Sequence, residues 1–85
     1  MSSDESTKSL TLFTRGSCPL CDHLVLALEL LRPRYDFRYA KVDIDNSSDL
    51  TDLYATRIPV LVDNDIEICS GHCDPALVEA YLAQD

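Results

Sequence analysis

The spacing of apolar residues changes several times along this chain, and each change marks an element. Ser9 to Thr14, reading Ser-Leu-Thr-Leu-Phe-Thr, is short and rich in strand-forming residues. From Asp22 to Arg32 the spacing becomes helical: Leu20, Leu24, Leu28 and Leu31 form a stripe that Val25 and Ala27 broaden. Arg15-Gly16-Ser17 links the two as a loop. Pro33 stops the helix, because it has no N–H and restricts the residue before it. Tyr35 to Ile44 then alternates, with Phe37, Tyr39, Lys41 and Asp43 on one side and Asp36, Arg38, Ala40, Val42 and Ile44 on the other, which predicts a second strand.

In the second half, Asp45-Asn46-Ser47-Ser48 supplies helix-capping groups, and Leu50, Leu53, Tyr54 and Arg57 follow at helical spacing. Ile58 to Val62 reads as a third strand with Pro59 at its start, where a missing N–H is tolerated. Asp63-Asn64-Asp65 is a tight turn into a fourth strand, Ile66 to Cys69, so these two strands make a hairpin. Asp74-Pro75 opens a third helix bearing Leu77, Val78, Tyr81 and Leu82. The order β-α-β-α-β-β-α predicts an α/β fold: a four-stranded mixed sheet with helices on both faces, each helix burying its apolar stripe. A chain of 85 residues supports one domain, expected over 9–85, after a polar, aperiodic tail over 1–8.

Chemistry concentrates at Cys18-Pro19-Leu20-Cys21, where the first strand gives way to the first helix. Unpaired N–H groups and the positive end of the helix dipole favour a thiolate there, so the pair suits a disulfide that closes and reopens by exchange. Cys18, nearer the helix start, is the expected nucleophile and Cys21 the resolving thiol one turn away, with Pro19 stiffening the spacing. Arg15 adds positive potential nearby, and His23 is a second candidate for tuning the thiols by charge. Two other readings stay open: a metal or iron–sulfur ligand pair, and a domain that keeps its thiols without catalysis. Cys69 and Cys73, with His72 between them, could complete a four-cysteine zinc site if the fold gathers both regions. Otherwise Cys69 is expected to pack as a small apolar side chain, and Cys73 to lie in a loop from which it could reach Cys18.

Charge narrows the partners. Fifteen acidic against seven basic side chains give a formal charge of -8, which argues against nucleic acid, since phosphate binding needs a cationic surface. No apolar run reaches membrane-spanning length and no basic-then-apolar signal opens the chain, so a cytoplasmic monomer with reduced thiols at rest is expected.

Phe13-Thr14-Arg15-Gly16-Ser17-Cys18-Pro19-Leu20-Cys21, with Arg57-Ile58-Pro59 and Ser70-Gly71-His72-Cys73-Asp74, resembles glutaredoxin, and more narrowly the short bacterial glutaredoxin-like proteins of the thioredoxin superfamily. The resemblance spans about Leu10 to Leu82. It implies a thioredoxin-like fold and a thiol–disulfide oxidoreductase with no bound cofactor, acting on disulfide-bearing proteins or glutathionylated substrates. Its reductant would be glutathione, as a co-substrate, or a thioredoxin-type reductase. By that resemblance Cys18 attacks, Cys21 resolves, Pro59 is cis and faces the pair, and the Ile58 backbone meets the substrate. Arg15 lies near the glycyl carboxylate of glutathione, and the loop of Gly71, Cys73 and Asp74 receives its γ-glutamyl end. Leu20 in place of the common tyrosine, Arg57 in place of threonine, and Ser70-Gly71 in place of a glycine pair imply weak or absent glutathione binding. The acidic field opposes an anionic tripeptide and favours a cationic protein substrate.

Overall fold

Residues 8–84 are described by the computed structural model. Four strands and three helices follow in order: β1 (Lys8–Thr14), α1 (Pro19–Leu31), β2 (Phe37–Asp43), α2 (Ser48–Tyr54), β3 (Val60–Asp63), β4 (Ile66–Ser70) and α3 (Pro75–Leu82), with one 3-10 turn at Ile44–Asn46. The strands lie side by side as β2-β1-β3-β4. β1 runs parallel to β2, and β3 is antiparallel to both β1 and β4. This is the topology of the thioredoxin fold, as the sequence led us to expect. Of the expected tail, residues 1–7 lie outside the described residues, whereas Lys8 opens β1 and pairs with Phe37.

One face of the sheet carries the core. Leu10 and Leu12 of β1, Phe37 of β2, Leu61 of β3 and Cys69 of β4 meet Leu24, Leu28 and Leu31 of α1 and Val78 and Leu82 of α3. The opposite face is covered more thinly. There Phe13 stacks on Tyr54, the last residue of α2, with ring centroids 4.4 Å apart.

Several boundaries depart from the sequence reading for physical reasons. α1 begins at Pro19, because Cys18 acts as its N-cap and proline fits the first helical position. With the helix started there, the buried row is Cys21, Leu24, Leu28 and Leu31. Leu20 falls on the rim, 40% exposed, and is no part of the stripe. α2 buries none of its residues, so the expectation that every helix inserts an apolar stripe fails there; Leu53 is exposed, as is Leu77 on α3. β2 ends at Asp43, and Ile44 turns inward from the 3-10 turn to become fully buried. Ile58 and Pro59 precede β3 rather than belonging to it. The hairpin turns through Asn64, whose φ of 54° is the left-handed conformation that asparagine tolerates. Among the described residues no helix is long and apolar enough to cross a membrane.

Candidate functional site

Strand register brings four loops to one edge of the sheet. Thr14 lies opposite Asp43, so the loops after β1 and β2 emerge together. Phe13 lies opposite Val60, which sets Pro59 at the same edge, and Val60 lies opposite Ser70, which adds the loop after β4. The residues singled out in the sequence, scattered from Arg15 to Asp74, thus share one end of the molecule.

Cys18 and Cys21 form a disulfide across the first turn of α1, with Cα atoms 5.2 Å apart. Cys18 is extended at φ -125°, and its Sγ accepts the Cys21 N–H at 3.1 Å. The sulfur thus takes the place that a serine or aspartate oxygen usually fills at a helix start. Cys18 is half-buried and Cys21 only 2% exposed, so Cys18 is the more accessible of the two. Ser17, at φ 56°, turns the chain into this cap. His23 is exposed on the helix.

Arg15 does reach the edge, but it is engaged. Its guanidinium donates to both carboxylate oxygens of Asp45, at 2.5 and 3.3 Å. The arginine, by hydrogen bond and by charge, holds the Asp45 carboxyl below the usual carboxylate range. The sequence marks Asp45 only as a capping residue, and nothing local ties it to Arg15; the parallel register of β1 with β2 is the signal that joins them. Arg57 is likewise ion-paired, with Glu67, and lies over the Tyr54 ring.

The Ile58–Pro59 bond is cis, as the resemblance implied. The Ile58 N–H donates to the Tyr54 carbonyl. Gly71, at φ +66°, donates its N–H to the carbonyls of both Arg57 and Pro59 at 2.8 Å, hanging the loop after β4 across the proline. Asp74 caps α3 by accepting the Ala76 N–H at 2.9 Å.

The second cysteine pair corrects the sequence reading. Cys73 bonds to Cys69 and not to Cys18, across a five-residue span with Cα atoms 5.5 Å apart. Cys69 is buried in the core as expected, but as half of a disulfide. Its partner was within view in the sequence, since a strand-end cysteine followed by a turn can fold back on the fourth residue along. The sequence reading instead takes the two as zinc ligands, or Cys69 as a packing side chain and Cys73 as a loop residue within reach of Cys18. The four cysteines divide by region into two couples, and among the described residues no three His, Cys, Asp or Glu side chains gather as a metal site. The four-cysteine zinc alternative is therefore not assembled.

Comparison with known proteins points the same way. No protein of curated function matches the chain. Among solved structures it is similar to the protein Ne2328 of Nitrosomonas europaea, at 33% identity over 89% of this chain and 92% of that one, with a TM-score of 0.76. It is also similar to XcR50 of X. campestris, at 36% identity over 86% and 93% of the two chains, with a TM-score of 0.70. A thioredoxin variant from Halobacterium salinarum follows at 25% identity over 87% and 70%, with a TM-score of 0.62. A dithiol capping the first helix of a thioredoxin fold supports a thiol–disulfide redox role. The model of the Glutaredoxin-like domain (DUF836) matches residues 9–83, nearly all of the described chain, and the protein belongs to that family.

Proposed function

We propose that this protein is a thiol–disulfide oxidoreductase of glutaredoxin type that reduces disulfide-bearing proteins, with glutathionylated substrates second. The observation that carries the reading is the placement of Cys18 Sγ as the cap of α1, accepting a backbone N–H at the positive end of a 13-residue helix. In the reduced protein the same position stabilises a thiolate, the form that attacks disulfides.

The reaction runs in two exchanges. The Cys18 thiolate attacks one sulfur of the substrate disulfide, forms a mixed disulfide and releases the other sulfur as a thiolate. The Cys21 thiol then loses its proton, attacks Cys18 Sγ, and releases the second substrate sulfur, which is protonated. The substrate gains two electrons and the protein becomes the Cys18–Cys21 disulfide. A dithiol reductase, or two molecules of glutathione, returns the electrons by attack at Cys18, the more accessible sulfur.

Protein disulfides stand first because the cations at this edge are engaged. A carboxylate of glutathione would have to displace Asp45 from Arg15, and the chain's overall charge of -8 slows the approach of an anion. An extended peptide instead meets the Ile58 carbonyl beside Pro59, the Ile58 N–H being held by Tyr54. The test is turnover of a plain protein disulfide alongside a glutathionylated peptide, each with glutathione or a thioredoxin-type reductase. The protein disulfide with the reductase should turn over fastest. Turnover confined to the glutathionylated peptide would reverse the substrate order, and turnover of neither would overturn the proposal.

A further inference from the structure

The two disulfides are built alike, each joining a buried sulfur to a more accessible one at the same edge of the sheet, but their surroundings differ. Cys18 is itself the cap of α1, so on reduction its thiolate keeps the Cys21 N–H and the full helix terminus. Cys73 sits one residue before the cap of α3, and that cap is the Asp74 carboxylate, which already takes the Ala76 N–H. A thiolate at Cys73 would therefore face a neighbouring negative charge at a helix end already satisfied. The partners Cys21 and Cys69 are both buried, at 2% and 8% exposed, and burial disfavours a charged sulfur at each, so the difference between the couples lies at Cys18 and Cys73. A disulfide becomes easier to reduce as its thiolate form is stabilised, and harder as that form is penalised.

We propose that Cys69–Cys73 is a second redox couple, harder to reduce than Cys18–Cys21, that clamps the loop after β4 onto Pro59 and releases it only under strong reduction. Opening the couple takes two electrons from a dithiol reductant. One reductant thiolate attacks Cys73 Sγ, the S–S bond breaks, and Cys69 leaves as a thiolate that is protonated. The second reductant thiol then attacks the mixed disulfide and frees Cys73, which is protonated in turn, leaving the reductant as a cyclic disulfide. Within the closed span, Gly71 holds its φ of +66° and donates to the Arg57 and Pro59 carbonyls, and the Cys73 N–H donates to the Gly71 carbonyl at 2.9 Å. Without the cross-link, those hydrogen bonds lose a covalent restraint, and the span gains backbone freedom that the closed loop denies it. Insofar as this edge captures substrate, which rests on the function proposed above, the couple regulates affinity while the exchange chemistry stays with Cys18 and Cys21.

The test is a titration of the whole protein in dithiol redox buffers, with rapid alkylation and mass mapping of each cysteine and with amide exchange followed at Gly71. Cys18–Cys21 should open first. The Cys69–Cys73 equilibrium constant against the same dithiol should be at least about tenfold less favourable to reduction, which is about 30 mV. Asp74→Asn, which keeps a capping side chain but removes its charge, should narrow that gap and leave the Cys18–Cys21 transition in place. Gly71 amide exchange should quicken at least about tenfold once the second couple opens. Cys69→Ala should raise KM for a protein disulfide severalfold with kcat within about twofold. Coincident or reversed transitions, an unmoved gap in Asp74→Asn, unchanged Gly71 exchange, or an unaltered KM would overturn this inference. Absence of wild-type turnover would instead overturn the proposed function, and the titration and the Gly71 exchange would still decide the clamp.

Discussion

At the scale of single residues, the two thiols of Cys18 and Cys21 sit in different surroundings. Cys18 takes the helix cap and Cys21 turns into the core, so their chemistry should divide the same way. In the reduced protein Cys18 should alkylate before Cys21 and at lower pH, because its thiolate alone receives the cap. Cys18→Ser should abolish exchange with every substrate. Cys21→Ser should block reduction of protein disulfides but spare glutathione-dependent removal of glutathione, since only the first reaction needs a resolving thiol inside the protein. Early alkylation at Cys21, or exchange by Cys18→Ser at the wild-type rate, would reverse the assignment.

At the scale of elements, the strand and helix order could be read from periodicity because β1, α1 and the β3–β4 hairpin each carry a clean pattern between clear stops at Gly16, Pro33 and Asn64. What escaped that reading depended on where a helix starts or on pairing across the chain. Leu20 lies at the right spacing for the α1 stripe, yet the cap at Cys18 fixes a phase that turns Cys21 inward. Leu53 and Leu77 likewise have helical spacing but lie exposed. Arg15 and Asp45 are thirty residues apart, and only the parallel register joins them. The Cys69–Cys73 bond needed the end of β4 to be placed before its four-residue reach meant anything. The corrected α1 face has a measurable consequence. Leu28 is fully buried and Leu30 is 74% exposed, so Leu28→Ala should cost about 2–5 kcal/mol in chemical denaturation. Leu30→Ala should change stability by less than about 0.5 kcal/mol. Comparable losses at the two positions would contradict the packing.

At the scale of the whole molecule, tyrosine hydroxyls link helices to the sheet. Tyr39 of β2 donates to Glu29 of α1 at 2.5 Å, and Tyr81 of α3 donates to Asp63 of β3 at 2.6 Å. Burial and the Glu29 carboxylate push the Tyr39 hydroxyl up to about 12 from its ordinary 10.0. The bond to Asp63, with burial, does the same for Tyr81. The protonated hydroxyl is the form favoured by folding. Its contribution to stability is therefore fully present below pH 10 and lost as pH rises through about 12. Tyrosinate absorbance should show these two rings ionising late, and denaturation midpoints should fall across that window. The fall should shrink in Tyr39→Phe and Tyr81→Phe. Flat stability between pH 10 and 12, with both rings ionising at the ordinary value, would remove these ties from the account.

The proposed function rests on the edge where the loops converge, and its central claim is that Cys18 attacks the substrate's disulfide. The most direct measurement is mass mapping of the adduct trapped when reduced Cys21→Ser meets a disulfide-bearing protein. The expected result is one substrate molecule held in a mixed disulfide at Cys18, released by added dithiol, with Cys69–Cys73 free of adduct. An adduct at Cys73, or no adduct from a folded variant, would contradict the account.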